Sequence, residues 1–163
     1  SAQTGMEIVI LRPPLVYGPG VKANFLKLLR TVDAGLPLPF SSIDNRRSLA
    51  YVGNLVHALE ACLSHPAAAG RTFFVSDDRD VSTPQLVQEI AAALGKKPRL
   101  FPFPPALLRG LGLLTGRSEQ FERLTGSLYV DVSSIKSTLG WLPPFTLQEG
   151  LAQTASWYRE RTV

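Results

Sequence analysis

The chain has 163 residues, 45% hydrophobic and 18% charged, with 17 Lys and Arg against 13 Asp and Glu. That length suits one domain or part of a larger protein, the apolar share excludes wholesale disorder, and no run reaches the roughly 18 apolar residues of a membrane span. The net charge of +4 comes from scattered bases, which argues against a nucleic-acid face and for discrete phosphate binding.

The lone Cys62 excludes an internal disulfide framework and fits a reducing, cytoplasmic compartment. No secretory signal opens the sequence. It begins at Ser1 rather than Met and runs at once into apolar residues, which suggests an excised piece of a longer protein.

Ile8 to Leu11 has the branched, apolar composition of a strand buried on both faces. Pairing should fail at Pro13, which has no amide hydrogen, and Gly18-Pro19-Gly20 should form a tight loop. Ligands of open α/β sheets sit beyond the carboxyl ends of strands, so this segment is a candidate pocket wall. Residues 21–34 read as an amphipathic helix, with Phe25, Leu28, Leu29 and Val32 on one stripe and Gly35 as its stop. Asn24 falls in its first turn, either as a helix-start residue or as an amide facing a ligand.

Leu36 to Phe40 is extended. Arg47 then precedes a short strand, Ser48 to Val52; it is either solvated or paired with a carboxylate, or a clamp on phosphate. A helix over 55–63 should be capped by Asn54, with His57 on its surface and Cys62 in the core. Thr72 to Val75 reads as a buried strand.

Ser82 and Gln85 form a capping box ahead of the stripe Leu86, Val87, Ile90, Ala91 and Leu94. Residues 104–115 make an apolar helix weakened by Gly110 and Gly112, and 118–124 a further short helix. Tyr129 to Ser134 should pass from strand to helix cap, followed by a short helix closed by Gly140. Trp141 should wedge into the core. Thr146 and Glu149 form a second capping box for a terminal helix reaching about Arg159. The whole reads as one compact α/β unit.

Catalytic signatures are missing. Gly18-Pro19-Gly20 lacks the spacing of a dinucleotide phosphate loop. No Ser-His-Asp order, carboxylate pair or metal set stands out. None of Tyr17, Tyr51, Tyr129 and Tyr158 has a Lys four positions later. By its residues alone the chain is a ligand-binding part without its own catalytic machinery.

Arg12-Pro13-Pro14-Leu15-Val16-Tyr17-Gly18-Pro19 resembles the R-x-x-x-x-Y-G-P segment of extended short-chain dehydrogenases/reductases. Arg47-Ser48-Leu49-Ala50-Tyr51-Val52-Gly53-Asn54-Leu55 is similar to their R-x-x-x-x-V-x-D-L stretch. Asp131 to Lys136, Leu139 to Pro143 and Thr146 to Leu151 resemble their closing D-x-S-K, L-G-W-x-P and L-x-E-G-L signature. The order and spacing hold across nearly the whole chain, and the nearest resemblance is to bacterial nucleotide-sugar 4-epimerases, of the UDP-glucose 4-epimerase kind, and 4-ketoreductases of surface-polysaccharide synthesis.

The resemblance implies an α/β fold, the C-terminal part of an extended Rossmann-type enzyme. Residues 1–20 would be the last strand and loop of the parallel cofactor sheet, and 21–163 a small mixed α/β substrate-binding lobe. The Gly-rich loop and the catalytic Tyr and Lys would lie upstream, so NAD or NADP would be bound mainly outside this chain, which alone would be inactive. Pro13 and Pro14 would lie near the nicotinamide, Asn24 and Phe25 near the diphosphate, and Leu38 to Phe40 beside the base. Arg47 would hold the pyrophosphate, with Arg123 preferred to Arg117 as a second phosphate contact; Asp131 would be structural. Homodimers are common in the family, through a helical interface that precedes this chain. Leu15 stands where many relatives place a substrate-contacting Asn, and Asn54 replaces the usual Asp.

Other occupants of the same fold are a steroid- or flavonoid-like carbonyl compound, which Leu15 and the apolar 104–115 helix favour, or a ligand of a non-catalytic binding module.

Overall fold

The computed structural model describes residues 6–114, 122 and 124–161. Its organising feature is the double proline. Strand β1 (Ile10–Arg12) pairs in parallel with β4 (Thr72–Phe74), while β2 (Leu15–Tyr17) pairs in parallel with β3 (Leu49–Tyr51). Neither Pro13 nor Pro14 can donate to a ladder, so pairing stops and the chain passes from one partner strand to another.

Two expectations change here. Leu15 to Tyr17 is a strand rather than loop. Nor is the opening segment buried on both faces: Ile8 is 44% and Ile10 45% exposed. Strand β1 pairs with β4 alone among the described residues, and its outward face, with Ile10 and Arg12, has no covering layer there.

The helices follow local chemistry. Helix α1 (Ala23–Asp33) buries Phe25, Leu29 and Val32, and it ends where Gly35, at φ 65°, donates to the carbonyl of Val32. Helix α2 (Val52–Ser64) leads to a short 3-10 turn, Pro66–Ala68. Helix α3 (Thr83–Leu94) carries the Ser82–Gln85 capping box and buries the whole expected stripe. Helices α4 (Pro105–Leu114), α5 (Ser133–Leu139) and α6 (Leu147–Glu160) complete the order, and the Thr146–Glu149 box starts the last.

The segment after Leu128 forms no strand. Leu128 bridges to Arg47, and Val130 then donates to the Ser48 hydroxyl, so a side chain replaces the ladder. Most of the helix expected over 118–124, with Arg117 and Arg123, lies outside the described residues.

Two cores result. The larger joins β2, β3, α1, α3 and α6 through residues such as Tyr17, Leu29, Leu49, Ile90 and Leu151. The smaller gathers Cys62, Phe73, Ile135 and Trp141 between β4, α2 and α5. Burial raises the Cys62 thiol pKa, which suits a core residue rather than a nucleophile. His57 sits on the outer side of α2, where its Nδ1 accepts from Trp141 Nε1 at 3.0 Å. No helix of the described residues is long and apolar enough to cross a membrane.

Candidate functional site

A cavity of about 280 Å³ opens beside the larger core, between α1, the 38–40 segment, the start of β3 and α3. Asn24, Phe25, Leu38, Phe40 and Arg47 all line it, so residues far apart in sequence share one concave wall. Leu15, Lys27, Leu28, Thr31, Thr83, Leu86 and Leu124 complete the lining, and none of these residues is a carboxylate.

Each wall has a local cause. Leu38 exchanges backbone hydrogen bonds with Arg99 and Phe101, but the extended run stops there: the chain turns from Pro39, and Ile43 donates to the carbonyl of Phe40. The adjacent arginines separate. Arg46 turns outward, pairing with Asp80 at 2.6 Å and lying 4.8 Å above the Tyr129 ring. Arg47 alternates inward, as strand geometry requires. Its Nη1 donates to the carbonyl of Gly126 at 3.1 Å, and partial burial lowers its pKa. A guanidinium there remains a cation at neutral pH.

The 124–126 segment is tied down by Asn45, whose Nδ2 donates to the carbonyls of Leu124 and Gly126 while its Oδ1 accepts from the Thr83 amide.

Behind the cavity lies a closed polar hub. Asp77 is 6% exposed; its Oδ2 accepts from the Tyr17 hydroxyl at 2.8 Å. Its Oδ1 accepts from the Tyr51 amide and from Asn54 Nδ2, each at 2.7 Å. Asn54 also donates to the carbonyl of Phe145 and accepts from its amide, both at 2.9 Å. Asn54 is therefore no helix cap. Helix α2 begins at Val52, which puts Asn54 inside the first turn, fully buried.

Burial raises the Asp77 pKa against the pull of these hydrogen bonds. Burial, followed by the Asp77 charge, raises the Tyr17 phenol far above its ordinary value, which fixes it as a donor. The Tyr17 ring stacks on Phe25 with centroids 5.5 Å apart, so the hub braces a cavity wall.

Gly18 and Gly150 are among the glycines that serve packing. A Cβ on Gly18, at φ +143°, would meet Val52 Cγ1 at 2.5 Å, and one on Gly150 would meet the Tyr17 hydroxyl oxygen at 2.6 Å. The opening loop is thus shaped against β3 and α2. Pro13 and Pro14 lie in the turn between β1 and β2 and do not line the cavity. Arg123 lies outside the described residues, whereas Asp131 receives both the amide and the hydroxyl of Ser133.

Sequence reasoning missed Lys27, Thr31 and the hub. The first two were accessible, since 24, 27, 28 and 31 fall on one helical face. A second, more open hollow is lined by Pro19, Val52, Val56, His57, Glu60 and Phe145.

The profile of the 3-beta hydroxysteroid dehydrogenase/isomerase family matches residues 2–104. The chain is 53% identical to a UDP-glucose 4-epimerase of Vibrio cholerae over 156 residues, 95% of this chain and 48% of that protein. It is 29% identical, over 94% of its length and 50% of the other's, to an Escherichia coli O157:H7 N-acetyl-alpha-D-glucosaminyl-diphospho-ditrans,octacis-undecaprenol 4-epimerase. The chain thus spans about half the length of these curated relatives. The crystal structure of a Thermotoga maritima UDP-glucose 4-epimerase with UDP-glucose superposes with a TM-score of 0.68 at 22% identity, covering 99% of this chain and 49% of that one.

Proposed function

Because this chain belongs to the 3-beta hydroxysteroid dehydrogenase/isomerase family of extended short-chain dehydrogenases/reductases, we propose that it is the substrate-binding part of an NAD(P)-dependent nucleotide-sugar 4-epimerase or 4-ketoreductase. A UDP-sugar is the proposed substrate, surface-polysaccharide synthesis the proposed setting and the cytoplasm the proposed location. One observation carries the reading: the cavity unites Asn24, Phe25, Leu38, Phe40 and Arg47, with no carboxylate among the described residues of its lining.

In this reading Arg47 holds the pyrophosphate through charge-assisted hydrogen bonds, and Leu38 and Phe40 border the base. Asn24 presents its amide from the first turn of α1. Arg123 is the proposed second phosphate contact.

NAD or NADP, when bound, supplies hydride chemistry at the sugar. The residues of this chain do not make a dinucleotide cradle: Gly18 packs against Val52 and Tyr51, and the sequence lacks a Gly-rich loop and a Tyr-x-x-x-Lys. Pro13 and Pro14 are left as the proposed approach to the nicotinamide. The chain alone is expected to bind without turnover.

Calorimetry with uridine diphosphate tests the site. Arg47→Ala should cost about 1.5–3 kcal/mol of binding, the range for a hydrogen bond to a charged group. An unchanged affinity would remove Arg47 from the site.

The aliphatic lining from Leu15, Leu28, Leu38, Leu86 and Leu124 favours a second reading, a steroid- or flavonoid-like carbonyl substrate. Competition by uridine diphosphate separates the two, since an apolar-substrate site would ignore it.

A further inference from the structure

We infer that Lys27 is a further cationic contact for a nucleoside diphosphate, reaching the cavity from α1 while Arg47 reaches it from the start of β3; this rests on the cavity being the nucleotide site. At 100° per residue, Asn24, Lys27, Leu28 and Thr31 fall on one face of α1, and all four line the cavity. Phe25, Leu29 and Val32 form the buried stripe. Lys27 therefore belongs to a side-chain row that is spatially continuous with Asn24.

Its charge is not neutralised by the described residues. The positions three and four away along α1 are Ala23, Asn24, Arg30 and Thr31, so no acid neighbours it on the helix. Asp33, the one acid of α1, takes Lys96 at 3.3 Å and the hydroxyl of Tyr158 at 3.3 Å. Lys136 is likewise held by Asp78. With Arg47 also in the lining and no carboxylate among its described residues, two cations converge on a concave surface. That arrangement selects a ligand with adjacent negative charges over one with a single phosphate. A lysine on a flexible stem suits this role, because it follows a diphosphate as a point charge without requiring fork geometry.

The test is a calorimetric titration of the 163-residue chain with uridine diphosphate, uridine monophosphate and uridine. Lys27→Ala, Lys27→Glu and Lys27→Arg are compared with Arg47→Ala, with circular dichroism to verify folding. Lys27→Ala should weaken the diphosphate about threefold to fivefold, the scale of an exposed charge pair, weaken the monophosphate less and leave uridine unchanged. Lys27→Glu should weaken the diphosphate further, and Lys27→Arg should retain it. If Arg47→Ala weakens the diphosphate while Lys27→Ala and Lys27→Glu do not, the role of Lys27 is wrong and the cavity reading stands. If the unaltered chain binds no uridine diphosphate, the cavity reading fails and Lys27 with it.

Discussion

Around Asp77 polar groups are answered from within the chain, whereas the neighbouring cavity brings cations together with no acid among the described residues of its lining. The two regions share a wall through the stacked Tyr17 and Phe25 rings. A network satisfied from within gives rigidity, whereas a concave surface that gathers cations keeps interaction free energy for a ligand. The contrast teaches how to separate framework from site in this chain: every buried side-chain nitrogen and oxygen among the described residues has a partner, so the site is recognised by charge imbalance instead.

The largest expected effect comes from disturbing the hub. Asn54→Asp removes the donor facing Asp77 and sets two carboxylates against each other. It should lower unfolding free energy by about 3 kcal/mol or more in urea titrations at neutral pH. Adding Asp77→Asn should restore only part of that loss: it removes the like-charge contact, but a carboxylate at 54 still cannot donate to the Phe145 carbonyl. Full recovery by the double variant would show that the Asn54 donation to Phe145 contributes nothing. Arg47→Ala comes next and acts on the other region: about 1.5–3 kcal/mol of nucleotide affinity lost, with the hub intact by its thermal unfolding.

Gly150→Ala sharpens the boundary between them. Its new methyl would press on Tyr17 and Tyr51, which supplies a physical reason for glycine in the L-x-E-G-L segment. Overpacking of this kind costs about 1–3 kcal/mol of stability.

Asp77→Asn alone is the smallest change. An amide at 77 keeps the acceptor for Tyr51 and Asn54 and turns a donor toward Tyr17, so neutral-pH stability should move by about 1 kcal/mol or less. Its signature is the pH profile. Burial raises the folded-state pKa of Asp77, so the native state binds the proton more readily and the Asp77 contribution is fully present at low pH. It is lost as pH rises through the folded value. Asp131 and Glu149 act in the opposite sense, because hydrogen bonds from Ser133 and Thr146 lower their pKa values. Removing Asp77 should therefore leave a profile that falls more steeply with acid, measured as unfolding midpoints across mildly acidic buffers.

Much of this fold was readable from sequence because its signals are local. The Ser82–Gln85 and Thr146–Glu149 boxes, the α3 stripe and the glycine stops at 35 and 140 each depend on neighbours within one or two turns. The hub was not readable, for the same reason inverted. Asn54 precedes an apolar run exactly as a cap would, yet its partners Asp77 and Phe145 lie 23 and 91 positions away. Strand pairing was legible only at its break: two prolines announce where a ladder stops but not that a second one begins at Leu15. The cavity was anticipated through resemblance in Asn24, Phe25, Leu38, Phe40 and Arg47. Lys27 was accessible to helical periodicity alone.

An amide-detected NMR titration with uridine diphosphate tests the central claim most directly. Shifts should concentrate at Asn24, Phe25, Lys27, Leu38, Phe40 and Arg47, with Val56, His57 and Glu60 around the second hollow unmoved. Shifts centred on Val56, His57 and Glu60, with the α1 and β3 residues silent, would contradict it.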